Sequence, residues 1–94
     1  MPELKITVEH PAGLHARPAA LFVQIANRYQ STIVVSHGAR SANAKSILSV
    51  LTLGASRGAQ LTLRADGADA DAALAALQAL VSSNFGEPAT PAAG

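Results

Sequence analysis

Leu4, Ile6 and Val8 alternate with Lys5, Thr7 and Glu9, the two-residue period of a strand with one buried face. His10-Pro11-Ala12-Gly13 ends it. From Ala16 to about Tyr29 the period lengthens to that of a helix, with a core stripe of Ala19, Phe22, Val23, Ala26 and Tyr29. Leu21 and Ile25 fall outside this stripe, as surface residues or as part of a partner face. Thr32 to Ser36 is β-branched and strand-like, and His37-Gly38-Ala39 turns it into a second strand, Arg40 to about Ala44, forming a hairpin. Ser46 is placed to cap a short helix from Ile47 to Leu53, closed by Gly54 at C′. Arg57-Gly58-Ala59 makes another turn before a strand from Gln60 to Ala65, with Leu61 and Leu63 inward, broken at Gly67. Asp69 caps a final helix in which Asp71 also favours the positive end of the dipole. Its apolar stripe is Ala73, Leu74, Leu77, Leu80 and Val81.

The predicted order is β-α-β-β-α-β-α, with each one-faced strand needing cover on the same side. That predicts an α+β open-faced β-sandwich, a four-stranded antiparallel sheet with three helices on one face. Residues 1–83 form this single domain, and 84–94, aperiodic and rich in Pro, Gly and Ala, form a flexible tail.

Composition narrows the function. With 49% apolar residues but few aromatics, the core must be built from Ala, Val, Ile and Leu. Cysteine is absent, so neither disulfides nor thiolate metal sites support the fold. A net charge of +1 with no Lys/Arg cluster argues against nucleic acid. His10, His15 and His37 lack zinc-like spacing, no Ser-His-Asp arrangement is legible, and Asp66, Asp69 and Asp71 read as turn and cap residues. Neither a signal peptide nor an apolar run of about 20 residues is visible, so a soluble cytoplasmic protein is expected.

One run carries chemistry: Gly13-Leu14-His15-Ala16-Arg17-Pro18-Ala19-Ala20, at the start of the first helical pattern. The first N–H groups of a helix have no intrahelical partner and sit at the positive end of its dipole, so the N–H groups of Ala16 and Arg17 suit a phosphate carried on His15. Arg17 adds a planar, permanently charged fork. Pro18 stands where a missing N–H costs nothing, and Gly13 lets the chain bend. Imidazole is both nucleophile and leaving group near neutral pH, so a phosphoryl group on His15 could be passed on, whereas a serine ester would trap it. His10 and His37 have no such company and read as exposed turn residues.

This run, with Asn43-Ala44-Lys45-Ser46-Ile47, Leu51-Thr52-Leu53-Gly54 and Arg57-Gly58, resembles the HPr family, the histidine-containing phosphocarriers of the bacterial phosphoenolpyruvate-dependent sugar phosphotransferase system. The likeness spans Leu4 to Val81 and departs at Ala12, where relatives often carry a small polar residue, and in the tail after Ser83. It implies the same element order and a stoichiometric carrier, not a stand-alone enzyme. Its partners would be a phosphoenolpyruvate-dependent upstream phosphotransferase of the Enzyme I type and sugar-specific transport subunits, with no cofactor or metal. His15 would be the acceptor and Arg17 the phosphate stabiliser, on a chain expected to be monomeric. Ser46 has two open roles, a helix cap and a site for an ATP-dependent HPr kinase/phosphorylase. Ala16, Arg17, Ala20, Leu21, Gln24, Ile47, Leu48, Leu51 and Thr52 are expected to form a docking face, because the short helix carries more apolar side chains than one buried face absorbs. Acidic partner groups would face Arg17 and Lys45 at its rim. The alternative is an HPr-like regulatory module signalling carbon or nitrogen status; a purely structural domain would have no use for His15 and Arg17 together.

Overall fold

The computed structural model describes residues 2–8, 16–54 and 56–83, with the side chain of Ala16 excepted. The strands are β1 (Glu3–Thr7), β2 (Thr32–His37), β3 (Arg40–Asn43) and β4 (Gln60–Asp66); the helices are α1 (Ala16–Ala26), α2 (Ile47–Leu51) and α3 (Ala70–Ser82). They follow the predicted order and build one antiparallel sheet, β1-β4-β2-β3. Register explains its two faces. Ile6 pairs with Leu61, and Val35 lies between Leu63 and Ala42, so these apolar side chains from all four strands share one side, while Val34 faces the other, opposite Arg64 and Asn43. Phe22, Ala26, Val50, Leu74, Leu77 and Val81 of the three helices complete the core with them. The other face carries Glu3, Lys5, Thr62, Arg64, Ser36 and Ser41, the polar half of each alternation. This is the α+β open-faced sandwich the pattern predicts.

Several boundaries differ from the sequence reading. The first helix stops at Ala26 instead of Tyr29, because the N–H groups of Arg28 and Tyr29 turn to the carbonyls three residues back, Ile25 and Ala26. Leu21 and Ile25 are half-buried and packed on the core, not at the plain surface. The physical reason is that α1 lies against both α2 and α3, which widens its buried arc beyond one stripe. The short helix ends at Leu51 with Thr52 as C-cap, so Gly54 sits one place beyond C′, at φ +64°. In the hairpin, Gly38 and Ala39 alone form the turn, with Gly38 at φ +61°. His37 therefore ends β2; it is half-buried, with Nδ1 3.1 Å from the Leu53 carbonyl oxygen, not an exposed turn residue.

Asp69 is a clearer correction. It occupies the N-cap position of α3, but its side chain makes no capping hydrogen bond. Its carboxylate instead accepts the backbone N–H groups of Gln30 (2.8 Å) and Ser31 (2.9 Å), and the hydroxyl of buried Ser31. These donors, the Ser31 hydroxyl foremost and the Gln30 N–H next, hold the carboxyl below the usual aspartate range. Two N–H groups freed by the end of α1 compete successfully for the acceptor that α3 would have used.

Candidate functional site

His15 lies outside the described residues, as do His10, Gly13 and Leu14. The chain on either side of that segment is described. Val8, fully buried, donates its N–H to Ala59 O (2.9 Å) and accepts from the N–H of Gly58 (2.7 Å), so the loop containing Arg57 clamps the end of the first strand. On the far side α1 begins at Ala16, with Arg17 exposed and the Pro18 ring buried. Pro18 is the third helical residue, where an N–H would have no intrahelical acceptor. No acidic residue stands in the first turn to offset the dipole there.

The expected docking residues fall on two neighbouring helices. α1 supplies Ala16, Arg17, Ala20, Leu21 and Gln24, and α2 packs beside it. Ala20 and Leu21 are half-buried, and Gln24 is exposed. In α2 only Val50 is buried, whereas Ile47 is 37%, Leu48 74% and Leu51 36% exposed. These are the exposed large hydrophobic side chains of the described residues, and all three belong to one five-residue helix. Thr52, at its end, is exposed too. Leu21 belongs as much to the core as to this surface.

Ser46 takes its capping role, its side-chain oxygen accepting the Ser49 N–H at 3.4 Å. Lys45 departs from its expected role as a rim charge. Its ammonium donates to the Tyr29 carbonyl at 2.6 Å, and its own carbonyl accepts from Asn27 Nδ2 at 3.2 Å. A cation at the carbonyl-rich end of a helix is favourable in itself, so Lys45 tethers the α2 entry to the exit of α1. Ser46 thus follows a residue tied to the end of α1 opposite Arg17.

One signal passed over in the pattern of elements is charge order. Between Glu9 and Asp66 the chain carries Arg17, Arg28, Arg40, Lys45, Arg57 and Arg64 and no acid. Both helices of the candidate face lie within this stretch, whereas Asp66, Asp69 and Asp71 gather at the start of α3. Arg64 lies on the opposite, polar face of the sheet, where it pairs with Glu3 at 2.7 Å, so any steering of an acidic partner to the α1–α2 side rests on the other basic residues of the stretch. Among the described residues no group of three or more His, Asp or Glu could hold a metal ion, and no helix is long and apolar enough to cross a membrane.

Comparison with known proteins agrees with this geometry. Residues 2–83 match the family model described as the PTS HPr component phosphorylation site. The chain is 44% identical over 81 residues to the HPr-like protein Crh of Bacillus subtilis (strain 168), covering 86% of this chain and 95% of that protein. It is 41% identical over 87 residues to the phosphocarrier protein HPr of Xylella fastidiosa, covering 93% and 98%. A crystal structure of HPr-C-His from Thermoanaerobacter tengcongensis superimposes with a TM-score of 0.91 at 45% identity, covering 94% of this chain and 99% of that one. The chain belongs to the HPr family of phosphotransferase-system phosphocarriers.

Proposed function

We propose that the protein accepts a phosphoryl group on His15 from a phosphoenolpyruvate-charged upstream enzyme and passes it to sugar-specific transport subunits. The observation that carries this reading is the start of α1 at Ala16, directly after His15, with Arg17 beside it and no acid in the first turn. A neutral ring nitrogen attacks phosphorus as the bond to the donor's leaving group breaks, and the reverse displacement discharges the carrier. The N–H groups of Ala16 and Arg17 and the Arg17 guanidinium offset the charge on the transferred oxygens, which suits a loose transition state that needs positioning more than bond-making help. Partners dock on the α1–α2 face through Ile47, Leu48 and Leu51, with Ala20, Gln24 and Thr52 at its margin. The chain acts as a cytoplasmic monomer.

Incubation with phosphoenolpyruvate and the upstream enzyme should add one alkali-stable, acid-labile phosphoryl group. His15→Ala should abolish it with an unchanged melting temperature, and Arg17→Ala should slow it. Acid-labile phosphate on the His15 variant would refute the assignment.

A second reading, regulation through Ser46, draws support from the likeness to the HPr-like protein Crh. Phosphorylation at the cap would add nearly two negative charges to a basic docking side, weakening capture of an acidic partner. Because Ser46 follows a residue tied to the end of α1 opposite Arg17, Ser46→Asp should raise the upstream enzyme's KM for the carrier and leave kcat unchanged. A reduced kcat at constant KM would point instead to a change at His15.

A further inference from the structure

Five residues cannot sustain a helix alone; isolated helices shorter than about 12–15 residues are marginal in water. α2 nevertheless presents Leu48 at 74% exposure, with one buried side chain of its own to anchor it. Its carbonyls reveal what holds the exit. Leu48 O and Ser49 O accept the Thr52 N–H, Val50 O accepts that of Leu53, and Leu51 O that of Gly54. The next two carbonyls, those of the C-cap Thr52 and of Leu53 beyond it, meet groups from outside the turn. Thr52 O accepts from Arg40 Nη1 at 3.0 Å, and Leu53 O lies 3.1 Å from His37 Nδ1. A carbonyl oxygen only accepts, so the His37 proton of this bond is on Nδ1. His37 and Arg40 are directly paired in the β2–β3 hairpin, on either side of the Gly38–Ala39 turn. Two donors paired on one hairpin therefore meet two consecutive carbonyls just past the last turn of α2, at its negative end.

We propose that His37 and Arg40 are positioning residues for the docking face: the hairpin latches the exit of α2 and so sets how Ile47, Leu48 and Leu51 meet a partner. This rests on the reading of that face as the partner-binding surface. Half-buried His37 would act without touching the partner. Exposed Arg40 would act through Thr52, not as a charge offered to the partner.

The test measures KM and kcat for phosphorylation of the full chain by the upstream enzyme, together with Tm. His37→Leu, which cannot donate, should raise KM about three- to tenfold, the range of one lost hydrogen bond, at unchanged kcat. His37→Asn, whose amide nitrogen replaces Nδ1, should restore it. Arg40→Gln, a neutral donor, should stay within about twofold of wild type, whereas Arg40→Leu should match His37→Leu. Leu48→Asp tests the underlying reading separately. If Leu48→Asp leaves KM unchanged, the docking face is wrong; if it raises KM while His37→Leu and Arg40→Leu do not, the latch is wrong. In the Leu48→Asp background the His37→Leu effect should shrink, since both act through one surface, and full additivity would overturn the latch. Failure of Arg40→Gln with rescue by Arg40→Lys would assign Arg40 a direct charge role and remove it from the latch.

Discussion

α2 and α3 both start at a residue able to cap a helix, and their side chains go different ways. Ser46 accepts from its own helix at Ser49, whereas Asp69 turns from α3 to the junction between α1 and β2. The rest of each helix matches this division. α3 buries Ala70, Ala73, Leu74, Leu77 and Val81 over 13 residues and needs no cap to persist. α2 buries Val50 alone and leaves Leu48 74% and Ile47 and Leu51 a little over a third exposed. A cap is kept local where the helix has little else, and is released for tertiary use where packing already secures the helix. Substitutions around α3 should therefore move stability and spare docking, and those around α2 should do the reverse.

The largest effect is expected at Gly67, which approaches Ser31 where Asp69 binds it. Gly67 has φ +152°, and an added Cβ would lie 2.8 Å from Ser31 Cα, a backbone atom with nowhere to move. Gly67→Ala should cost about 3 kcal/mol or more from strain and overlap together. Thermal unfolding should show a Tm drop above about 10 °C, while phosphoryl acceptance measured on the remaining folded protein stays near wild type. A drop within about 2 °C would mean that the junction yields easily.

Asp69→Asn comes next, read through pH. Because the Ser31 hydroxyl and the Gln30 and Ser31 N–H groups favour the ionised carboxyl, its native value lies below the unfolded one, about 3.9. The unfolded chain then binds more protons in that region, so stability rises with pH. The carboxylate's contribution is complete above about pH 5 and is lost as pH falls through the native value. The Tm difference between wild type and Asp69→Asn should be constant from neutral pH to about pH 5 and shrink below it; a constant difference down to about pH 2 would assign the effect to shape instead of charge.

On the other side of the comparison, Leu48→Asp should raise KM for the upstream enzyme about tenfold, as for an anchor near the centre of an interface, with Tm within about 2 °C of wild type. A large Tm loss would transfer Leu48 to the core. Smallest is Ser46→Ala: a 3.4 Å capping bond lies at the long limit, so the loss should be about 0.5 kcal/mol, measurable by urea unfolding.

Local regularities were readable from the chain. The alternation of Leu4, Ile6 and Val8 gave β1, and the stripe from Ala73 to Val81 gave α3, because strand and helix periods are properties of neighbouring residues. The run from Gly13 to Ala20, read as phosphate-handling, likewise rests on adjacent residue types. What escaped the reading were side chains whose partners lie far along the chain. Asp69 meets residues 38 and 39 positions earlier, Lys45 a carbonyl 16 positions back, and His37 one 16 positions ahead. Each looks like an ordinary turn or surface residue until the sheet brings the ends together. Leu21 is half-buried for a related reason: a single stripe predicts one neighbour, and α1 has two.

The bond from Lys45 to Tyr29 has a practical consequence for chemical labelling. The chain holds two lysines, Lys5 and Lys45. Lys5 is exposed on the polar side of the sheet, while the Lys45 amine is occupied at 2.6 Å in a half-buried place. Amine-reactive probes will thus discriminate between them, modifying Lys5 ahead of Lys45. A fluorophore or surface linker attached at Lys5 sits behind the sheet, leaving the helical side turned toward whatever is brought to it.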